Sequence, residues 1–168
     1  MVLMMEMKVP AGVTIAINGK KVKVSGPKGT VERDFKGSRL EIKQEGDTIR
    51  VETERYEMEN TVRAHIVNMA KGVTDGFHRT MKIRYAHFPA TVEIKGKDII
   101  IKNFLGEKKN RKTKIQGATK VEAKGQDVTV SGPDIEDVGQ TVANIRKATK
   151  IRNHDCRVFQ DGIYLVDE

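Results

Sequence analysis

Val13-Thr14-Ile15-Ala16-Ile17-Asn18-Gly19-Lys20-Lys21-Val22-Lys23-Val24 and Thr91-Val92-Glu93-Ile94-Lys95-Gly96-Lys97-Asp98-Ile99-Ile100-Ile101 state one pattern twice, 77 residues apart. Each copy runs from an alternating apolar stretch through Gly-Lys into a second apolar stretch and then to a further glycine, Gly29 in one copy and Gly106 in the other. At an offset of 79 residues, Gly46-Asp47-Thr48-Ile49-Arg50-Val51 falls on Gly125-Gln126-Asp127-Val128-Thr129-Val130, and Ala64 and Ile66 fall on Ala143 and Ile145. A drift of two residues across that span is one altered turn inside a duplicated small domain. Two domains follow, 1–87 and 88–168, each of a size that folds alone around a thin core.

Composition narrows the class. The 168 residues are 38% hydrophobic, enough for globular packing, and 32% charged, which implies a large wetted surface. A net charge of +8 favours a polyanionic partner, because each phosphate met by Lys or Arg releases a condensed counterion. The excess is present in both halves, with 16 basic and 11 acidic residues before Phe88 and 15 and 12 from it onward. Position therefore matters more than total charge. A single cysteine, Cys156, excludes an internal disulfide framework and a thiolate-rich zinc site. The apolar start Met1-Val2-Leu3-Met4-Met5 is cut short by Glu6 and Lys8, too brief for a signal segment, and no uncharged run approaches a membrane span. A cytoplasmic location without membrane contact is expected.

Period 2 dominates the first half. Strands are expected over Val13 to Ile17, Lys21 to Val24, Thr30 to Phe35, Leu40 to Lys43 and Thr48 to Thr53, with Asn18-Gly19 as a two-residue hairpin turn. The period then changes: Met58, Val62, Ile66, Met69 and Val73 mark one face of a helix. The second half repeats this order through Thr91 to Ile94, Asp98 to Lys102, Val121 to Ala123 and Val128 to Ser131. Its helix opens at Asp134, with Ile135, Val138, Val142 and Ile145 inward. Asp134, Glu136 and Asp137 near its start and Arg146, Lys147 and Lys150 near its end complement the helix dipole. Arg79 to Tyr85 suits either a strand or the tail of the first helix. The junction is placed at Ala86-His87-Phe88-Pro89, since proline disfavours helix at the residue before it.

Catalytic chemistry has little footing in these residues. His65, His78, His87 and His154 lack ligand spacing, so no metal or other cofactor is expected. Gly26-Pro27-Lys28-Gly29-Thr30 lacks the spacing of a phosphate loop and reads as a turn. His154-Asp155-Cys156 places neighbours in sequence where a nucleophile and its base must face one another. Ser25, Ser38 and Ser131 adjoin turns without a nucleophile-elbow motif.

The basic clusters are sharper. Lys108-Lys109-Asn110-Arg111-Lys112-Thr113-Lys114 holds five cations and no acid. Such a loop repels itself and gains most against a polyphosphate surface. In Arg146-Lys147-Ala148-Thr149-Lys150-Ile151-Arg152-Asn153, four cations gather where a helix ends, more than its dipole needs. Arg79, Lys82 and Arg84 form a third, more ambiguous set, because alternate residues of a strand also make its solvated face. Phe35, Phe104 and Phe159 are isolated and read as core rather than as stacking platforms. Phosphate contact to a folded RNA is the reading these clusters favour.

From Gln140 onward the chain runs through Thr141-Val142-Ala143-Asn144-Ile145-Arg146-Lys147-Ala148-Thr149-Lys150 to a terminal Arg157-x-Phe159-x-Asp161-Gly162-Ile163-Tyr164. This stretch, with the duplication and the start Pro10-Ala11-Gly12-Val13, resembles ribosomal protein six of the large subunit in its archaeal and eukaryotic form. The resemblance implies an α+β fold: a tandem duplication of a small domain, each copy a mostly antiparallel β-sheet packed on one α-helix. It further implies a non-enzymatic structural component that binds large-subunit rRNA mainly through its C-terminal half. The site would lie near the sarcin-ricin loop and stalk base, beside neighbouring ribosomal proteins and docking translational GTPases. Carried onto this chain, the rRNA-binding set is Lys108, Lys109, Asn110, Arg111, Lys112, Lys114, Arg146, Lys147, Lys150, Arg152 and Asn153. Asp161-Gly162 reads as a turn, since a carboxylate would face phosphates. Met1 to Lys8 has no counterpart in that comparison and is expected to be a flexible extension. Two rivals stand beside this reading: an RNA-modifying or nucleotide-handling enzyme, and a basic adaptor for acidic proteins.

Overall fold

Alternation along the first repeat resolves into short antiparallel strands. β1 is Leu3–Lys8, β2 Thr14–Asn18, β3 Lys21–Gly26, β4 Gly29–Asp34, β5 Glu41–Glu45 and β6 Thr48–Thr53, and helix α1 is Tyr56–Thr74. The computed structural model describes residues 3–8, 12–36, 40–45, 48–53, 56–85, 88–155 and 157–166. The chain divides into two compact units, Met1–Gly76 and Phe77–Glu168. In the first, β1-β6-β5 and β2-β3-β4 form two antiparallel sheets. Val22, Val24, Ile49, Val62, Ile66 and Val73 close its core. The β2–β3 loop is Gly19-Lys20 rather than Asn18-Gly19, because Asn18 pairs with Lys21 and Gly19 takes φ 64°. Glycine adopts that positive φ without the Cβ clash.

The second unit repeats the plan strand for strand. β7 is Phe77–Arg84, β8 Thr91–Lys95, β9 Asp98–Lys102, β10 Arg111–Lys114, β11 Lys120–Lys124 and β12 Asp127–Gly132, and helix α2 is Ile135–Ala148. A further strand, β13 (Gly162–Leu165), has no counterpart in the first unit. The sheets are β11-β12-β7-β13 and β10-β9-β8, around a separate core of Met81, Ile83, Ile99, Ile101, Val128, Val130, Val138, Ile145 and Ile163. Gly96 in the β8–β9 loop, with φ 62°, repeats the role of Gly19. The duplicated α+β fold is therefore present, with two sheets and one helix in each unit among the described residues.

Register places the boundary more sharply than composition does. Leu3 pairs with Thr53 and Lys8 with Thr48, while Phe77 pairs with Gly132 and Lys82 with Asp127. β7 thus does for the second unit what β1 does for the first. The junction expected at Ala86–Pro89 moves to Gly76–Phe77, and Leu3–Lys8, expected to be a flexible extension, is a paired strand; Ala86 and His87 lie outside the described residues. The earlier boundary gives the first unit 13 basic and 11 acidic residues and the second 18 and 12. Most of the positive charge now falls in the second unit.

Gly26-Pro27-Lys28-Gly29 is a turn that meets the end of α1. Lys28 N–H donates to the Val73 carbonyl at 2.9 Å, and Lys28 Nζ donates to the Asp75 carbonyl. A Cβ on Gly26 would lie 2.9 Å from the Val73 carbonyl oxygen and 2.9 Å from Val73 Cβ. Backbone cannot swing away as a flexible side chain can, so Gly26→Ala is expected to destabilise the first unit by about 1–3 kcal/mol. Chemical denaturation followed by probes in each unit checks this, with the second unit unaffected.

Candidate nucleic-acid interface

A 3₁₀ turn, Phe104–Gly106, follows β9 and delivers the chain to the first basic cluster. Lys108, Lys109 and Asn110 are exposed on the loop before β10. Alternation along β10 then splits the remaining cations: Lys112 and Lys114 point to solvent, while Arg111 and Thr113 take the other face. Lys112 sits opposite Ile100, and Lys114 opposite Asp98, which lowers the local charge at that end.

Arg111 is a latch. Its Nε donates to Glu107 Oε2 at 2.9 Å and its Nη2 to Glu107 Oε1 at 2.5 Å. Nη1 donates to the carbonyls of Ala148 at 2.9 Å and Lys150 at 3.1 Å, and the guanidinium carbon lies 4.4 Å from the Phe104 ring centroid. The end of a helix leaves carbonyls without intrahelical donors, and this fork serves them at the end of α2. Four of the five N–H donors of Arg111 and its face toward Phe104 are thus engaged within the chain, while the side chain still borders the depression that the neighbouring lysines line.

That latch joins the two clusters. α2 begins on Asp134, whose Oδ1 accepts from Glu136 N–H at 2.8 Å, and ends at Thr149, whose buried hydroxyl lies 3.2 Å from the Ile145 and Arg146 carbonyls. Val138, Thr141 and Ile145 face the core, whereas Ile135, expected inward, is exposed. Arg146, Lys147, Lys150, Arg152 and Asn153 are all exposed. Asn153 ends the run in the left-handed region with φ 62°, a conformation asparagine tolerates. Lys109 and Lys112 from one cluster and Lys147, Lys150 and Arg152 from the other line a single open depression of about 430 Å³. Among the described residues, none of Lys108, Lys109, Lys112, Lys114, Arg146, Lys147, Lys150 and Arg152 makes an ion pair.

Glu107 carries the pH dependence of this arrangement. The hydrogen bond from Arg111 holds its carboxyl below the ordinary range, with desolvation opposing and the guanidinium charge adding to the effect. A group that is more acidic folded than unfolded contributes stability above its unfolded pKa and loses it as pH falls through the folded one. Glu107→Gln is expected to be less stable than the parent at pH 7 by under ~1 kcal/mol, the carboxylate being 39% exposed. The difference should vanish in acid, below the carboxylate range near ~4. Unfolding curves of both proteins against pH check it.

The third cluster divides by parity. Lys82 and Arg84 lie on the outer face of β7, while Arg79 shares parity with the buried Met81 and Ile83. A solvated strand face accounts for the first two. At the C-terminus Asp161 is buried and Gly162 opens β13, so the expected turn is the start of a strand. Asp155 is engaged by Arg157, which donates from Nε and Nη2, and Cys156 lies outside the described residues. Phe35 and Phe104 are core, but Phe159, expected there too, is half-buried in the wall of a recess beside α2. Tyr164 borders the same recess. The spacing Gly162-x-Tyr164 was the available signal for it, an aromatic covering a glycine two residues away on one strand face.

The sequence profile of the family described as Ribosomal protein L6 matches residues 9–76 and again 88–162. The chain belongs to the ribosomal protein L6 family. Both L6 matches begin just beyond the first strand of a unit, after β1 in one and after β7 in the other. The large ribosomal subunit protein uL6 of Staphylothermus marinus is 50% identical over 171 residues, spanning 96% of this chain and 92% of that protein. The proteins of the same name from Sulfurisphaera tokodaii and Methanosarcina mazei are 46% and 45% identical over 166 residues. They span 95% and 96% of this chain and 89% and 94% of their own lengths. L6 is a family of ribosomal proteins rather than of enzymes. No helix among the described residues is long and apolar enough to cross a membrane.

Proposed function

We propose that this L6-family chain is a structural component of the large ribosomal subunit that holds rRNA through the depression between the β10 loop and the end of α2. The observation that carries this reading is the convergence there of Lys109, Lys112, Lys147, Lys150 and Arg152 without ion-pair partners among the described residues. Like charges gathered on one surface are costly until a polyanion covers them, and phosphates do so with release of counterions. Lys108, Lys114, Arg146, Asn110 and Asn153 extend the contact around the rim. The resemblance to the archaeal and eukaryotic proteins favours a site near the sarcin-ricin loop and stalk base, with neighbouring large-subunit proteins and translational GTPases close by.

Salt dependence tests the electrostatic mechanism. With about six phosphates contacted, log affinity for large-subunit rRNA should fall with log salt at a slope near about −5 in the duplex limit. A slope near zero would reject phosphate contact. Nuclease protection separates this reading from a protein-binding adaptor, which leaves rRNA unprotected.

A further inference from the structure

β13 is an edge strand, and between it and the last turns of α2 lies a recess of about 550 Å³ that phosphate contact alone does not explain. Ile151, Phe159 and Ile163 give it an apolar lining in which the buried Asp161 is the one acid, and its volume falls in the roughly 300–1,000 Å³ range of small-ligand pockets. Tyr164 closes one side. A Cβ on Gly162 would come within 2.9–3.1 Å of the Tyr164 ring, so glycine there lets the ring lie against the strand, with the residue still 39% exposed. The other side is the helix end, carrying Arg146, Lys147 and Lys150. Thr149 ties the two sides together: its buried hydroxyl, beside the helix carbonyls, accepts from Ile163 N–H at 3.4 Å.

We propose that this recess receives one unstacked RNA base, whose flanking phosphates lie on Arg146, Lys147 and Lys150. The inference rests on the rRNA reading above and deepens it. A site for phosphate alone has no use for an apolar floor and an open aromatic ring. An apolar protein segment has no use for three cations along its edge. A nucleotide splayed from a bulge or loop presents both a flat apolar face and adjoining negative charge, and aromatic stacking is how proteins commonly hold such bases.

The test measures binding of the full-length chain to RNA hairpins of one stem sequence, either fully paired or carrying a single bulged A, G, C or U. At least one bulged hairpin should bind about tenfold more tightly than the paired one. Tyr164→Ala removes the ring, and Ala143→Trp fills the mouth of the recess from an exposed helix position. Each should abolish that margin while leaving affinity for the paired hairpin unchanged. Equal binding of every hairpin, or a margin that survives both substitutions, overturns the base site. If binding of all hairpins is equal yet still weakened by Lys109→Glu with Lys112→Glu, only the base site falls. If no hairpin binds and rRNA affinity ignores those charge changes, the rRNA reading falls with it.

Discussion

Reversing Lys109, Lys112, Lys147 and Lys150 together to glutamate is expected to lower affinity for large-subunit rRNA by about 100-fold or more near physiological salt, and to make the salt slope shallower by about 3–4. The four come from two stretches more than thirty residues apart and line one depression. If each meets a phosphate, removing it removes one released counterion, and the new carboxylate adds repulsion. All four are exposed and none makes an ion pair among the described residues, so the variant should unfold at nearly the parental denaturant concentration. Filter binding across a salt series, paired with chemical denaturation, separates lost contact from lost fold. Unchanged affinity would move the site elsewhere on the chain.

Arg111→Ala should have the opposite signature. Two carbonyls at the end of α2 lose their donor, Glu107 loses its partner and Phe104 its covering cation. Hydrogen bonds from a charged donor and a cation–π contact together set a cost of about 2–4 kcal/mol, reduced from a fully buried case because the side chain is 24% exposed. Arg111→Lys should recover little, since an ammonium cannot span the Glu107 carboxylate and two carbonyls as a planar fork does. Hydrogen exchange should accelerate at the end of α2, while the salt slope of RNA binding shifts by less than about one. Full stability with a slope reduced by one would make Arg111 a phosphate ligand instead.

What could be read in the sequence was the local part of the fold. Gly19, Gly96 and Gly125 sit between alternating apolar runs whose hairpins close within a few residues, and Val62, Ile66 and Val73 mark one helical face. β1 escaped, and β7 stayed ambiguous between strand and helix tail, because their partners, β6 and β12, lie some forty to fifty-five residues later in the chain. No turn chemistry announces a pairing of that range. On α2, Val138, Val142 and Ile145 turn inward as the apolar pattern expects, but Ile135 is exposed and Thr141 is buried instead, its Oγ1 accepting from Gln116 N–H at 3.1 Å.

The candidate site was visible as charge but not as geometry. Five cations between Lys108 and Lys114 look alike in sequence, and only strand parity with the arrival of α2 separates Arg111 from its neighbours. One clue was present in Glu107, four residues before Arg111. The recess at β13 depends on a glycine and a tyrosine two residues apart, a spacing that carries no charge signal.

Reductive methylation of the free protein and of the same protein within assembled large subunits reports which lysines meet rRNA. Lys109, Lys112, Lys147 and Lys150 should react readily in the free chain and be strongly protected in the subunit, with protection lost when the rRNA is digested. Full reactivity of these four amines in the intact subunit would mean that rRNA does not cover them.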